Sequence, residues 1–170
     1  MNLEAHIRDI PDFPKPGIVF KDITPLLGDP EAFEVSIREL TKPFRDERID
    51  AVVGIESRGF IFGAVVAREL GVGFVPVRKP GKLPADTLSV SYALEYGEDT
   101  VEIHRDALSE GQEVLIVDDV LATGGTMAAT CELVEKTGAR ITGVAFLVEL
   151  GFLNGRNKLD GHAIHSVLTY

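Results

Sequence analysis

The chain has 170 residues, 45% of them hydrophobic and 26% charged, with 17 glycines and a formal net charge of −10. That length suits one domain with one substantial core. The acidic balance excludes a nucleic-acid binder, which needs a basic surface, and no apolar run approaches the length of a membrane span.

Met1 to Ile10 carries charges and lacks the apolar centre of a signal peptide. The single Cys131 cannot form an internal disulfide, so a reducing cytoplasm is expected. Residues 11–30 contain Pro11, Pro14, Pro16, Gly17, Pro25, Gly28 and Pro30. Such dense punctuation predicts no regular element beyond a short extended piece over Ile18–Phe20. Asp29-Pro30 reads as a helix start, with Asp as N-cap and Pro at the first helical position. Phe33, Ile37, Leu40 and Phe44 then recur at helical spacing, and Pro43 ends or kinks that helix.

Ala51–Ile55 is a short apolar strand, Gly59–Leu70 a helix stopped by Gly71, and Gly73–Val77 a second strand. Leu88–Tyr96 and Asp99–His104 alternate about Gly97-Glu98, which predicts an antiparallel hairpin or flap over about residues 84–104. Val114–Val117 reads as a strand buried on both faces. A helix from Met127 to about Lys136 follows, then strands over Ile141–Val148 and near Ala163–Leu168. Strands alternating with helices predict a parallel sheet with right-handed crossovers.

Three strand ends carry chemistry. Asp118 and Asp119 stand where the Val114 strand should end, before Ala122, Thr123, Gly124, Gly125 and Thr126. The free N–H groups of a first helical turn bind phosphate, glycines admit it closely, and Thr123 and Thr126 add hydroxyl donors. The carboxylates suit sugar hydroxyls or a bridging divalent metal, so a phosphorylated sugar fits better than bare phosphate. No Gly-Lys-Ser/Thr ends this loop and no G-x-G-x-x-G is present, which excludes a P-loop and leaves a dinucleotide fold little support. A plain strand-to-helix turn would explain Gly124 or Gly125, but not the adjacent aspartates.

The segment Gly54-Ile55-Glu56-Ser57-Arg58-Gly59-Phe60 is a second such turn, placed where open α/β sheets bind ligands, and its N–H groups suit a diphosphate. Arg58 is a poor electrostatic choice for a helix start unless it has a function. After Val77, Arg78, Lys79 and Lys82 form the most compact cation cluster, on a loop fixed by Pro80, Gly81 and Pro84. Fixed cations suit a polyphosphate leaving group. Composition alone favours a solvated basic loop equally, and the position after a sheet strand tips the balance.

Val114–Thr126 closely resembles the binding signature for 5-phosphoribosyl 1-diphosphate in the class I phosphoribosyltransferases. Phe13–Thr24, Gly54–Gly63, Val77–Lys82, Tyr92–Gly97 and Val148–Leu150 are similar to members of that family that act on adenine, so the resemblance covers nearly the whole chain. It implies an α/β fold with a mostly parallel twisted sheet flanked by helices. It also implies a single domain over residues 1–170, with a small hood from about 1–30 and 150–170 and a mobile flap.

The implied reaction is adenine plus 5-phosphoribosyl 1-diphosphate to AMP and diphosphate. Mg²⁺ would be bound mainly through the substrate, with no direct protein ligand, in a homodimer. The resemblance implies that Phe20 stacks on the base while Val19 and Lys21 read its edge through backbone groups, with Leu150 nearby. Ala122 to Thr126 would take the 5-phosphate and Asp118 and Asp119 the ribose hydroxyls. Ser57, Arg78, Lys79 and Lys82 would take the diphosphate. Arg58, Glu95 and Tyr96 are the implied catalytic residues, with Glu95 handling the purine proton. Read as isolated residues, Phe20 is equally a core side chain, Tyr96 a strand tyrosine and Glu95 an exposed carboxylate. Two rival functions stay open: transfer to another base, such as hypoxanthine, xanthine or orotate, and a donor-sensing regulator without catalysis. The Phe20 segment discriminates the first, and the chain has no nucleic-acid surface for the second.

Overall fold

The computed structural model covers residues 1–170, and they separate into two units, residues 1–39 and 40–170. In the first, β1 (Arg8–Pro11) and β2 (Val19–Asp22) pair antiparallel, with Arg8 opposite Asp22 and Pro11 opposite Val19. A short helix α1 (Thr24–Gly28) follows, with proline in its first turn. The prolines and glycines of 11–30 thus do not abolish regular structure, as their density predicts. They sit at strand ends, in the connecting loop and at a helix start, where no backbone N–H is missed. Asp12 (φ 54°) and Gly17 (φ 86°) turn the loop, and the Gly17 N–H donates to Asp12 Oδ1 at 2.8 Å. Lys21 Nζ pairs with Asp9 Oδ1 at 2.6 Å and Arg8 with Asp22 at 3.1 Å across the strands.

Helix α2 (Pro30–Thr41) starts as read: Asp29 Oδ1 accepts the N–H groups of Glu31 (2.9 Å) and Ala32 (3.1 Å). It ends at Thr41, and Lys42–Phe44 tightens into a 3₁₀ turn around Pro43.

The second unit is built on β3 (Ala51–Ile55), α3 (Arg58–Leu70), β4 (Gly73–Val77), β5 (Thr87–Ala93), β6 (Glu98–His104), β7 (Glu113–Leu121), α4 (Gly125–Lys136), β8 (Arg140–Glu149) and β9 (Ile164–Thr169). Five strands form one parallel sheet in the order β4-β3-β7-β8-β9, and β5 and β6 form a separate antiparallel hairpin. Every residue of β3 is buried, as a central parallel strand requires. Helix α3 packs on β3 and β7, and α4 on β5, β6 and β8. Residues 150–170 group with this unit.

Two elements differ from their sequence patterns in ways that matter for function. β7 continues to Leu121, so Asp118 and Asp119 lie inside a nine-residue strand rather than beyond its end. The ladder with β8 continues on either side of Asp119, Asp118 opposite Phe146 and Val120 opposite Val148, which keeps the backbone extended through the charges. The hairpin is not polar throughout. Val90, Val101 and Ile103 are buried in the main core, while every residue from 93 to 98 about the turn is exposed. Residues 93–98 are the part of the expected flap that this packing leaves most uncovered.

β8 carries one extra residue against β7, between the pairs Val114–Ile141 and Leu115–Gly143. Gly143 then lies against the Phe44 ring, where an added Cβ would stand 2.3 Å from a ring carbon. Phe44 is 5% exposed and cannot swing out cheaply. Gly143→Ala is expected to destabilise the protein by about 1–3 kcal/mol through overpacking. Adding Phe44→Leu should recover part of that loss; denaturant melts of the three variants read both effects, and a neutral Gly143→Ala would contradict the packing described.

Candidate active site

β3 and β7 are neighbours, and the chain leaves them in opposite directions, through α3 to β4 and through α4 to β8. A crevice outside the carboxyl ends of the strands opens at such a switch point. Gly59, in the first turn of α3, lies directly against Asp118: a Cβ there would meet Asp118 Oδ1 at 2.7 Å. Arg58 Nε lies 2.8 Å from Asp119 Oδ2. The two strand-to-helix turns singled out from sequence therefore form one site, with Arg58 held on the acidic pair. Asp119 Oδ2 is buried and makes no aligned hydrogen bond, so this is a charge contact more than a directed one.

The acidic pair is electrostatically tense. Desolvation first, then the neighbouring Asp119 carboxylate, push the Asp118 carboxyl well above the ordinary carboxylate range, against the opposing pull of Arg58. Asp118 Oδ1 accepts the Asp119 N–H at 2.9 Å. No cluster of three or more His, Cys, Asp or Glu is placed to cage a metal.

The glycine-rich loop Ala122–Thr126 follows β7. Gly124 (φ 84°) is the N-cap of α4 in a left-handed conformation and offers no side-chain cap, so the first N–H groups of α4 are left for a ligand. The loop is pressed from behind. A Cβ on Gly155 would meet the Ala122 carbonyl oxygen at 2.4 Å, and one on Gly124 would meet the Gly155 carbonyl at 2.4 Å. That backing turn is fixed by Arg156, whose guanidinium forks onto Glu149 (2.6 and 2.7 Å), and Ser166 donates to the same carboxylate at 2.6 Å. These hydrogen bonds, Arg156 first, hold the Glu149 carboxyl below its ordinary range. Leu150 is half-buried beside the loop's origin, its N–H on the Leu121 carbonyl at 2.9 Å.

The basic loop is also built in. Lys79-Pro80-Gly81-Lys82 is a turn closed by Lys82 N–H to Lys79 O at 3.4 Å, with Gly81 at φ 77°. Glu56, from the β3 turn, accepts the Lys79 N–H at 2.5 Å and lies 3.5 Å from Arg78 Nε. Arg78 exchanges backbone hydrogen bonds with Glu102 of β6 (3.0 and 2.8 Å). Lys79 Nζ pairs with Asp99. Lys82 is exposed and forms no ion pair, and Ser57 is exposed at the N-cap of α3.

Glu95 and Tyr96 occupy the exposed turn of the hairpin, Tyr96 at 86% exposure. Val19 is exposed, and Phe20 is half-buried with its ring edge-on to Phe13 at 5.2 Å. The Lys21 ammonium pairs with Asp9. Sequence reasoning misses Glu56, Tyr92, Asp99 and Lys158. Tyr92 packs its ring on Gly125, 3.3 Å from where a Cβ would be, and Lys158 Nζ comes within 3.9 Å of the same point. Glu56 and Tyr92 lie inside segments that the sequence flags, Gly54–Gly63 and Tyr92–Gly97, but carry no mark of their own there.

Comparison with known proteins follows the same lines. A phosphoribosyl transferase domain model matches residues 27–162. The adenine phosphoribosyltransferase of Kosmotoga olearia is 59% identical over 170 residues, covering all of both chains. The crystal structure of adenine phosphoribosyltransferase from Thermoanaerobacter pseudethanolicus superposes with a TM-score of 0.96 at 57% identity, covering 99% of this chain and 98% of that one. The Saccharomyces cerevisiae enzyme, complexed with an imino-altritol bisphosphate and adenine, superposes at 0.92 with 44% identity, covering 97% and 96%.

Asp118→Asn keeps an acceptor for the Asp119 N–H and removes the tension. A carboxyl raised on folding leaves stability intact below the pH where the unfolded chain ionises, and lowers it as pH climbs through the raised value. The ligand-free variant is expected to melt above the parent at pH 7, the gap closing toward pH 3. Coincident melting curves at both pH values would show that the pair carries no strain.

Proposed function

The chain belongs to the phosphoribosyl transferase domain family, among its adenine phosphoribosyltransferases, and on that premise we propose which of its residues carry each part of the reaction of adenine with 5-phosphoribosyl 1-diphosphate to give AMP and diphosphate. The observation that supports the assignment best is the junction of the two turns, Arg58 on Asp119 and Gly59 on Asp118. It sets an acidic sugar site between a phosphate loop and an N–H-rich turn.

The N–H groups at the start of α4, with Thr123 and Thr126, take the 5-phosphate. Asp118 and Asp119 accept hydrogen bonds from the ribose hydroxyls, each about 1.5–3 kcal/mol because the acceptor is charged. The turn at Ser57, with Arg78, Lys79 and Lys82, takes the diphosphate. As the bond from C1 to the diphosphate oxygen breaks, charge grows on that oxygen, and cations already fixed in place stabilise it without reorganising. N9 of adenine forms the new bond to C1 and gives up its proton. Val19, Phe20, Lys21 and Leu150 recognise the base, Phe20 by stacking and Val19 and Lys21 through backbone groups.

Magnesium fits this donor set in one way. Two adjacent carboxylates offer hard oxygens but too few to cage an ion, so Asp118 and Asp119 would assist an ion that the donor's own oxygens would mainly hold. When bound it spreads the diphosphate charge. The reading takes the working form as a homodimer in the cytoplasm, the first of which sedimentation tests directly.

Glu95 is the group assigned to the purine proton. It forms no ion pair in its exposed turn and is free to accept one. Tyr96, beside it, closes with the turn over the reacting atoms and excludes water that would hydrolyse the activated sugar.

A panel of adenine, hypoxanthine, xanthine and orotate in a diphosphate-release assay tests the base: turnover with adenine alone is expected, and a preference for another base would overturn the assignment. Glu95→Gln keeps the shape of the turn and should lower turnover by roughly a hundredfold with donor affinity unchanged. Parent-like turnover would leave Glu95 a structural residue of the turn.

A further inference from the structure

The hairpin connects the two ends of the donor site. Tyr92 and Asp99 face each other across β5 and β6, the last ladder pair but one before the exposed turn. The Tyr92 hydroxyl lies 2.9 Å from Thr126 Oγ1 in the phosphate loop and 3.1 Å from Asp99 Oδ2. The same Asp99 oxygen receives Lys79 Nζ from the basic loop. A continuous chain of side chains therefore runs Lys79–Asp99–Tyr92–Thr126. Its outer members belong to the parts of the site that take the diphosphate and the 5-phosphate. Its inner members touch neither.

The chain is braced. The Tyr92 ring lies on Gly125, where no side chain intervenes. Val90 and Val101, the pair two residues further from the turn, are buried in the core. Arg78, next to Lys79, is hydrogen-bonded by its backbone to Glu102. Asp99 is held below its ordinary range first by Lys79, which marks the pair as a formed one.

Proton counting gives the chain a direction. The Lys79 ammonium has three protons, so it can hold Asp99 and still face a diphosphate oxygen. The Tyr92 hydroxyl has one and donates it to the Asp99 carboxylate, which can only accept. The Thr126 hydroxyl then donates to the Tyr92 oxygen, so every donor in the chain runs toward Asp99 and the Thr126 side chain is held through Tyr92.

We propose that Tyr92 and Asp99 are positioning residues of the donor site, which hold Lys79 and the Thr126 side chain in place so that the diphosphate and 5-phosphate ends are preorganised together. This rests on the functional reading above. Preorganisation of this kind raises affinity by removing the cost of ordering the donors on binding.

The test is calorimetric titration of the parent, Tyr92→Phe, Asp99→Asn and the double variant with 5-phosphoribosyl 1-diphosphate, with ribose 5-phosphate and with inorganic diphosphate, each in Mg²⁺. Tyr92→Phe keeps the ring on Gly125, and Asp99→Asn keeps the shape of its pair, so both should melt within a few degrees of the parent. Each single variant is expected to weaken donor binding about tenfold, and the double variant no further, because the two act as a unit. Asp99→Asn should also weaken ribose 5-phosphate, a ligand that never meets Lys79, while Asp99→Glu restores part of the loss. Steady-state assays should show the change in donor KM with kcat within about threefold. Unchanged donor affinity in both single variants, or losses that simply add, would overturn the proposal. A parent that binds adenine but neither the donor nor ribose 5-phosphate would instead remove the functional reading on which it rests.

Discussion

β3 and β7 run side by side and end at one edge, and the first turn of α3 is pressed onto the Asp118 side chain. Everything proposed for this site depends on that contact. Gly59 is its physical condition, since any side chain there would collide with a carboxylate oxygen. With the approach allowed, Arg58 reaches Asp119, and a cation at a helix start, which the helix dipole disfavours, becomes tolerable. The pair of aspartates in turn tolerates its own repulsion because that cation is close. The free protein holds a carboxyl that burial and its neighbour keep from ionising easily. Sites that carry such tension commonly trade stability for ligand binding.

Parallel arrangements of this kind were legible where one physical signal dominates. Ala51–Ile55 and Gly73–Val77 are short apolar runs between breakers, and they are the strands observed. The helices start at Pro30, Arg58 and Gly125, beside the caps and glycines that mark them. The loop before α4 was legible because its left-handed turn at Gly124 needs backbone freedom, and glycine is a visible way to obtain it. What stayed hidden depends on partners remote in sequence. β1 cannot be seen from Arg8–Pro11 alone, since its ladder and its ion pairs come from residues 19–22. Asp118 and Asp119 interrupt a hydrophobic pattern, so the strand seems to stop there, yet β8 carries it on to Leu121.

Tyr92 and Asp99 are the sharper lesson. A tyrosine in an alternating strand and one aspartate among many carry no local mark of function. Only the placement of the hairpin against α4 and the basic loop joins them to Thr126 and Lys79. Glu95 and Tyr96 were conspicuous by resemblance, but they stand in an exposed turn, away from the groups already assembled. The hairpin thus divides into a fixed part, which belongs to the ligand-free site, and a short tip that does not.

The pairing of the site's cations bears on how a ligand arrives. Arg58 sits on Asp119, Lys79 on Asp99, and Arg78 lies near Glu56. Beyond a Debye length, about 8 Å at physiological ionic strength, such pairs are felt only as weak dipoles. They are superimposed on a chain whose net charge is −10. An anion drifting toward the crevice is therefore not drawn in by a long-range field, and the protein as a whole repels it. Attraction begins only within reach of donors that the carboxylates have kept in place. Added salt should then quicken encounter by screening the repulsion even as it loosens the final contacts, so association and dissociation rates would both rise. The crevice is built to retain an anion once it is inside, with capture left to unassisted diffusion.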